Sequence, residues 1–247
     1  MMTNARKLSS AWRTVIALIT TFPASAQFYD QTNLVSDLPG VATITDPNLV
    51  NPWGVSHSAG SPFWVSDAGK NVSTLYSVNP ITGAVAALSL VVTVAGGPTG
   101  QVFNGVITDF ILSSGGASGP STFLFAGLNG AISGWNPGVP PSALSTQATL
   151  GATGAPPPVV YTGLALGMRG SGQHLYAANP AAGRIDVFDR TFTQVPVSGG
   201  FIDPTPLPLN ETPFNIAQYQ WQPLCQLQWT SRRSRCNQPV RHGWQFH

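Results

Sequence analysis

Charge is what this sequence has least of. Asp, Glu, Lys and Arg make up 8% of its 247 residues, against about 25% in an ordinary soluble domain. Cysteine occurs only at Cys225 and Cys236, and glutamate only at Glu211. Each scarcity excludes a class of chemistry. Two cysteines without a partner pair at finger spacing do not make a zinc site. Without a glutamate before Glu211, a Glu-liganded cation site cannot be assembled in the bulk of the chain. Outside the last 30 residues the histidines are His57 and His174, and no G-x-S-x-G elbow is present, so nucleophilic catalysis has no sequence signature. Both histidines sit near turns and read as solvated loop residues.

The formal charge of +2 is unevenly spread. Residues 1–217 hold seven Lys/Arg and nine Asp/Glu, whereas residues 218–247 hold four Arg and no acid. A nucleic-acid partner inferred from the pI of 8.7 would rest on that tail and the extreme N-terminus, so it is set aside. No stretch reaches the roughly 18 apolar residues of a transmembrane helix. Residues 1–26 read instead as a signal peptide, with Arg6, Lys7 and Arg13, a short apolar core from Val15 to Phe22, and Ala24-Ser25-Ala26 before Gln27. A periplasmic or extracellular location is the resulting expectation.

What the chain has in quantity is glycine and proline, 26 and 22 residues, beside 43% hydrophobic residues. This is the balance of a turn-rich β protein rather than of a disordered one. The stretch from Gly172 to Arg190 carries a β-hairpin signal: an apolar run from Leu175 to Ala178, a turn at Asn179-Pro180 with Gly183, and a run at Ile185-Asp186-Val187-Phe188. Leu175-Tyr176-Ala177-Ala178-Asn179 aligns with Phe63-Trp64-Val65-Ser66-Asp67 and with Phe123-Leu124-Phe125-Ala126-Gly127. After each run a second aromatic appears, at Phe188, Tyr76 and Trp135. The copies recur 60 and then 52 residues apart, from Trp64 to Leu124 to Tyr176.

Ahead of each copy lies a Gly-containing run that suits an innermost strand: Trp53 to Ser56, Gly105 to Thr108, and Gly163 to Leu166. The repeat predicts an all-β fold, a β-propeller of four-stranded blades, with about three blades and the start of a fourth over residues 27–217. A β-sandwich has similar strand content but gives no reason for the unit to recur. Pro137 to Pro158 reads as a long surface loop.

After Ala217 the composition changes abruptly, and residues 218–247 read as an aberrant segment without a fold of its own. Decoded one nucleotide later, synonymous codons for Gln218 to Trp229 permit N-I-N-G-N-L-Y-V-N-Y-N-G, whose N-G-x-L-Y-V resembles Gly172 to Ala177. The expectation is a frameshifted tail. Resequencing the gene decides it, and an early stop in the shifted frame would sink it.

The runs N-P-W-G-V-S from Asn51, F-W-V-S-D from Phe63, P-T-G-Q-V-F-N-G from Pro98, I-S-G-W-N-P from Ile132, G-L-A-L-G from Gly163 and L-Y-A-A-N-P-A-A-G-R-I-D-V-F-D from Leu175 occur in this order. Over about residues 27–217 the chain thereby resembles an uncharacterised family of exported bacterial β-propellers of the NHL or SMP-30-like kind. The resemblance implies a propeller, six-bladed when whole, of unknown activity, some of whose members are associated with exosortase-type sorting.

Two functional readings remain. One is a non-catalytic module that binds a surface protein or polysaccharide, with Trp53 as the aromatic facing the channel; Trp64 and Trp135 occupy repeat positions and read as packing between blades. The other is a lactonase or hydrolase with a divalent cation such as calcium in the channel. Asp67, Asn104, Asp109 and Asn179 are its candidate oxygen ligands, set against the plainer role of closing turns by side-chain to backbone hydrogen bonds. Asp186 and Asp189 are expected on the outward face of a strand and in its turn.

Overall fold

The computed structural model describes residues 31–170, 172–196, 201 and 212–218, and the backbone of 228–229. The signal peptide and nearly all of the expected frameshifted tail lie outside the described residues. The chain divides into a short leading unit, 1–32, and a large unit, 33–247.

Strands run through the large unit in the order β1 (Val35–Ser36), β2 (Ile44–Thr45), β3 (Pro52–Ser56), β4 (Phe63–Asp67), β5 (Val72–Val78), β6 (Val85–Ala87), β7 (Val92–Thr93), β8 (Pro98–Phe103), β9 (Ile111–Ser114), β10 (Ala117–Pro120), β11 (Phe123–Gly127), β12 (Ala131–Trp135), β13 (Thr149–Thr153), β14 (Gly163–Arg169), β15 (Gly172–Asn179), β16 (Arg184–Asp189), β17 (Pro213–Asn215) and β18 (Gln228–Trp229). Among the described residues the helical content is one 3-10 turn, Pro180–Ala182. The fold is all-β, built from several antiparallel sheets.

Three sheets carry the unit. The first runs β3-β4-β5-β6 with β7 also on β5, the second β8-β11-β12-β13, and the third β14-β15-β16. Each is an antiparallel meander whose hairpin pairs the residues that the repeat aligned: Phe63 with Tyr76, Phe123 with Trp135, and Leu175 with Phe188. Alternation along each strand gives every hairpin two apolar faces. Between the first and second sheets, Trp64, Leu75 and Val92 pack on Phe123, Phe125 and Trp135. The Trp64 ring stacks on Phe123 at 4.3 Å, and both Trp64 and Trp135 are buried. Between the second and third sheets, Leu124 and Ile132 meet Leu164, Leu175 and Phe188. On the far side of the third sheet, Tyr176, Ala178 and Val187 pack with Ile216, next to β17.

The inner strands come together through glycine. A Cβ on Gly54 would collide with the Thr99 carbonyl oxygen, one on Gly100 with the Leu164 nitrogen, and one on Gly163 with Asn215 Oδ1, each at under 3.0 Å. Only a residue without a side chain lets backbone approach backbone so closely. Hydroxyls then cross the same gaps. Thr99 Oγ1 donates to the Tyr161 carbonyl at 2.8 Å, and Thr162 Oγ1 donates to the Phe214 carbonyl at 2.5 Å.

The structure corrects three expectations. The innermost strand of the second sheet is Pro98–Phe103 rather than Gly105 to Thr108. The latter stretch is turn, because the buried Asn104 amide donates to the carbonyls of Val106, Asp109 and Ser121 and closes the chain on itself. The segment from Pro137 to Pro158 is not all loop, since Thr149–Thr153 pairs with β12 as a fourth strand. Asp186 does not face outward; it is 3% exposed, between the second and third sheets.

Candidate functional site

Corresponding positions of the first and third hairpins hold buried polar pairs. In the first, Asp67 ends β4, and Thr74 lies seven residues later on β5. In the third, Asn179 ends β15, and Asp186 lies seven residues later on β16. Strand alternation turns both pairs toward the same side of their sheets, opposite to the side on which Trp64 and Tyr176 pack.

The third hairpin satisfies its carboxylate fully. Asp186 accepts from Tyr161 Oη at 3.0 Å, Asn179 Nδ2 at 2.9 Å and Arg184 Nε at 2.5 Å. Arg184 also donates to the Ala155 and Pro156 carbonyls, and Asn179 Oδ1 accepts from the Val160 and Ala182 amides. Burial, with the Asp186 carboxylate beside it, pushes the Tyr161 phenol above its ordinary range, so it is a permanent donor.

The first hairpin leaves its carboxyl half satisfied. Asp67 has no exposed surface; its Oδ2 accepts from Thr74 Oγ1 at 2.8 Å, and its Oδ1 is buried with no hydrogen-bond partner. Burial pushes the group up to about 7; Thr74 pulls downward and the Asp46 charge adds to the rise. Tyr76 Oη donates to Asp46 Oδ2 at 2.8 Å, and burial raises this phenol too.

The remaining candidates are turn and loop anchors. Asn104 holds its own loop, and its Oδ1 accepts from the Val106 amide at 3.0 Å. Asp109 Oδ1 accepts from Thr108 Oγ1 at 3.0 Å. Asp189 accepts from the amides of Thr191 and Thr193. Among the described residues no three His, Cys, Asp or Glu side chains form a group that could hold a metal. Of the four expected ligands, only Asp67 keeps a buried carboxyl oxygen without a hydrogen-bond partner. Its neighbours Thr74 and Asp46 carried no signal in the sequence beyond alternation.

Trp53 is half-buried on β3, and its ring lies 5.6 Å from that of Phe214 on β17, tilted by 32°. Trp53 and Phe214 precede Gly54 and Asn215, as Thr99 and Thr162 precede Gly100 and Gly163. Two of these four positions thus lock strands by hydroxyl, and two meet as aromatics. An open cleft of about 560 Å³ adjoins Arg184, lined by Pro156, Ile185, Gln194, Pro196 and Phe201 among others.

Among the described residues no helix is long and apolar enough to cross a membrane. No protein-family profile matches the chain. The chain is similar to the uncharacterized protein R648 of Acanthamoeba polyphaga mimivirus, with 28% identity over 188 residues, 74% of this chain and 44% of that protein. It therefore spans less than half the length of this relative.

Proposed function

We propose that the chain is a series of β-propeller blades from an exported protein whose task is binding rather than catalysis. The observation that carries this reading is the stack of antiparallel meanders whose inner strands abut through Gly54, Gly100 and Gly163, so that each sheet buries its apolar face on the next. A sandwich or an isolated sheet has no use for such a series of contacts, whereas blades around an axis require it. Likeness to the exported bacterial propellers over about residues 27–217 agrees with it, and the reading of 1–26 as a signal peptide implies a mature chain in the periplasm or outside the cell.

The ligand class is a surface polysaccharide or a surface protein, met by the partly exposed aromatics Trp53 and Phe214. A flat apolar face with a polar edge suits sugar rings and peptide side chains alike. The test is a binding array of envelope polysaccharides and surface proteins, followed by Trp53→Ala. Loss of at least tenfold in affinity, about 1.4 kcal/mol, with unchanged melting, is the expected result. Turnover of lactones combined with calcium-dependent stabilisation would overturn the binding reading in favour of a cation-bearing hydrolase.

A further inference from the structure

We propose that the outer edge of β16 is a docking site for an extended peptide segment of a partner protein, added to the third sheet as a fourth strand. The first and second sheets each continue past their hairpin into a fourth strand, β6 or β13, whereas the third ends at β16. Beyond β16 the chain touches this edge only briefly. Phe188 bridges Gln194, the Asp189 amide donates to the Thr193 carbonyl at 2.9 Å, and the Val195 amide donates to the Val187 carbonyl at 2.8 Å. Pro196 follows, and the half of the edge at 184–187 borders the cleft of about 560 Å³.

Strand geometry says which groups face that cleft. The amide and carbonyl of one residue point to one side of a strand, and those of the next residue to the other. Val187 and Asp189 bond outward, so Ile185 turns its amide and carbonyl outward as well. Among the described residues neither of these Ile185 groups makes a hydrogen bond, and the Val187 amide is likewise unused. Such an edge is a template for another strand. A second peptide backbone supplies the matching acceptor and donor at a spacing of about 4.8 Å, whereas sugar hydroxyls carry no such fixed pair.

The walls of the cleft set the side chains of the guest. Ile185, Val195, Pro196 and Phe201 are apolar. Arg184 spends Nε on Asp186 and Nη2 on the Ala155 and Pro156 carbonyls, and its Nη1 has no hydrogen-bond partner among the described residues. Asp186, the acid of the cleft, already accepts from three donors. A guest strand with one acidic side chain for Arg184 and apolar ones for Ile185 and Phe201 fits these walls. The site shares no residue with the pair Trp53 and Phe214, so it stands or falls apart from the ligand proposed for that pair.

Fluorescein-labelled hexapeptides of alternating valine and threonine, with one aspartate placed at each position in turn, test the proposal by fluorescence anisotropy with the whole chain. At least one should bind saturably, its lysine counterpart about tenfold more weakly, and a copy N-methylated along its backbone not at all. Ile185→Pro removes the outward amide at an edge, where proline is tolerated, and should weaken binding by about tenfold or more. Should this variant not fold, amide hydrogen exchange in the wild type decides the matter. The Ile185 amide should exchange readily in the free chain and slow by at least about tenfold with peptide. An Ile185 amide protected without peptide would show that the chain's own residues hold the edge, and would overturn the proposal. Equal binding of the N-methylated copy, no binding by any of the peptides, or capture of a polyuronate in their place would overturn it too.

Discussion

The first and third hairpins solve one geometric problem with opposite chemistry. Both put a polar side chain at the end of the first strand and its partner seven residues on, buried in the same orientation. In the third hairpin the carboxyl sits on the second strand at Asp186, where Arg184, Tyr161 and Asn179 converge on it. In the first it sits at the turn, at Asp67, where one hydroxyl reaches it. What differs is which strand carries the acid and whether a cation is within reach. A buried carboxylate is tolerable with three donors, one of them charged; with one donor the cheaper solution is to keep the proton.

The sharpest way to break the comparison is Asp186→Ala. It strands the Arg184 guanidinium, the Asn179 amide and the Tyr161 hydroxyl together, and should cost about 3 kcal/mol, toward the low end for buried pairs because Arg184 is partly exposed. Urea unfolding measures it, and a loss below about 1 kcal/mol would show the ion pair to be dispensable. Next in size is Asn179→Asp, which sets a carboxyl where an amide now donates to Asp186 at 2.9 Å. It should cost about 2 kcal/mol at neutral pH and shrink as the pair takes up a proton in acid, giving the third hairpin the pH dependence of the first. Melts at two pH values distinguish this from a uniform loss. The smallest effect is expected for Thr74→Val, which removes the hydroxyl that donates to Asp67 while keeping the shape. It should cost about 1 kcal/mol and extend the acid-stable range of the first sheet to higher pH.

Much of the hairpin architecture was legible in the sequence because aromatic and apolar runs recur at positions that pair across strands, as Phe63 does with Tyr76, Phe123 with Trp135 and Leu175 with Phe188. The inner strand of the second sheet was not, since two Gly-containing runs competed for it. The choice between them depends on Gly100 fitting against Leu164, a contact no local pattern encodes. Likewise β13 hid in a Gly/Pro/Ser-rich stretch with weak strand propensity and took its structure from pairing with β12. At the site, the equivalence of Asp67 and Asn179 could be read from the repeat. Their partners could not, because alternation says which side a residue takes and not what waits there; Asp186 was expected outward for that reason.

The close approach of the inner strands has a consequence for how this chain can change over evolutionary time. At Gly54, Gly100 and Gly163 the spacing from sheet to sheet is set by peptide backbone meeting peptide backbone, a dimension that mutation cannot enlarge or shrink by degrees. Side chains further out, and the lengths of the connections between units, are free to vary around that fixed step. Repeats 60 and 52 residues apart therefore keep the same close step from sheet to sheet, while the connections between them differ in length.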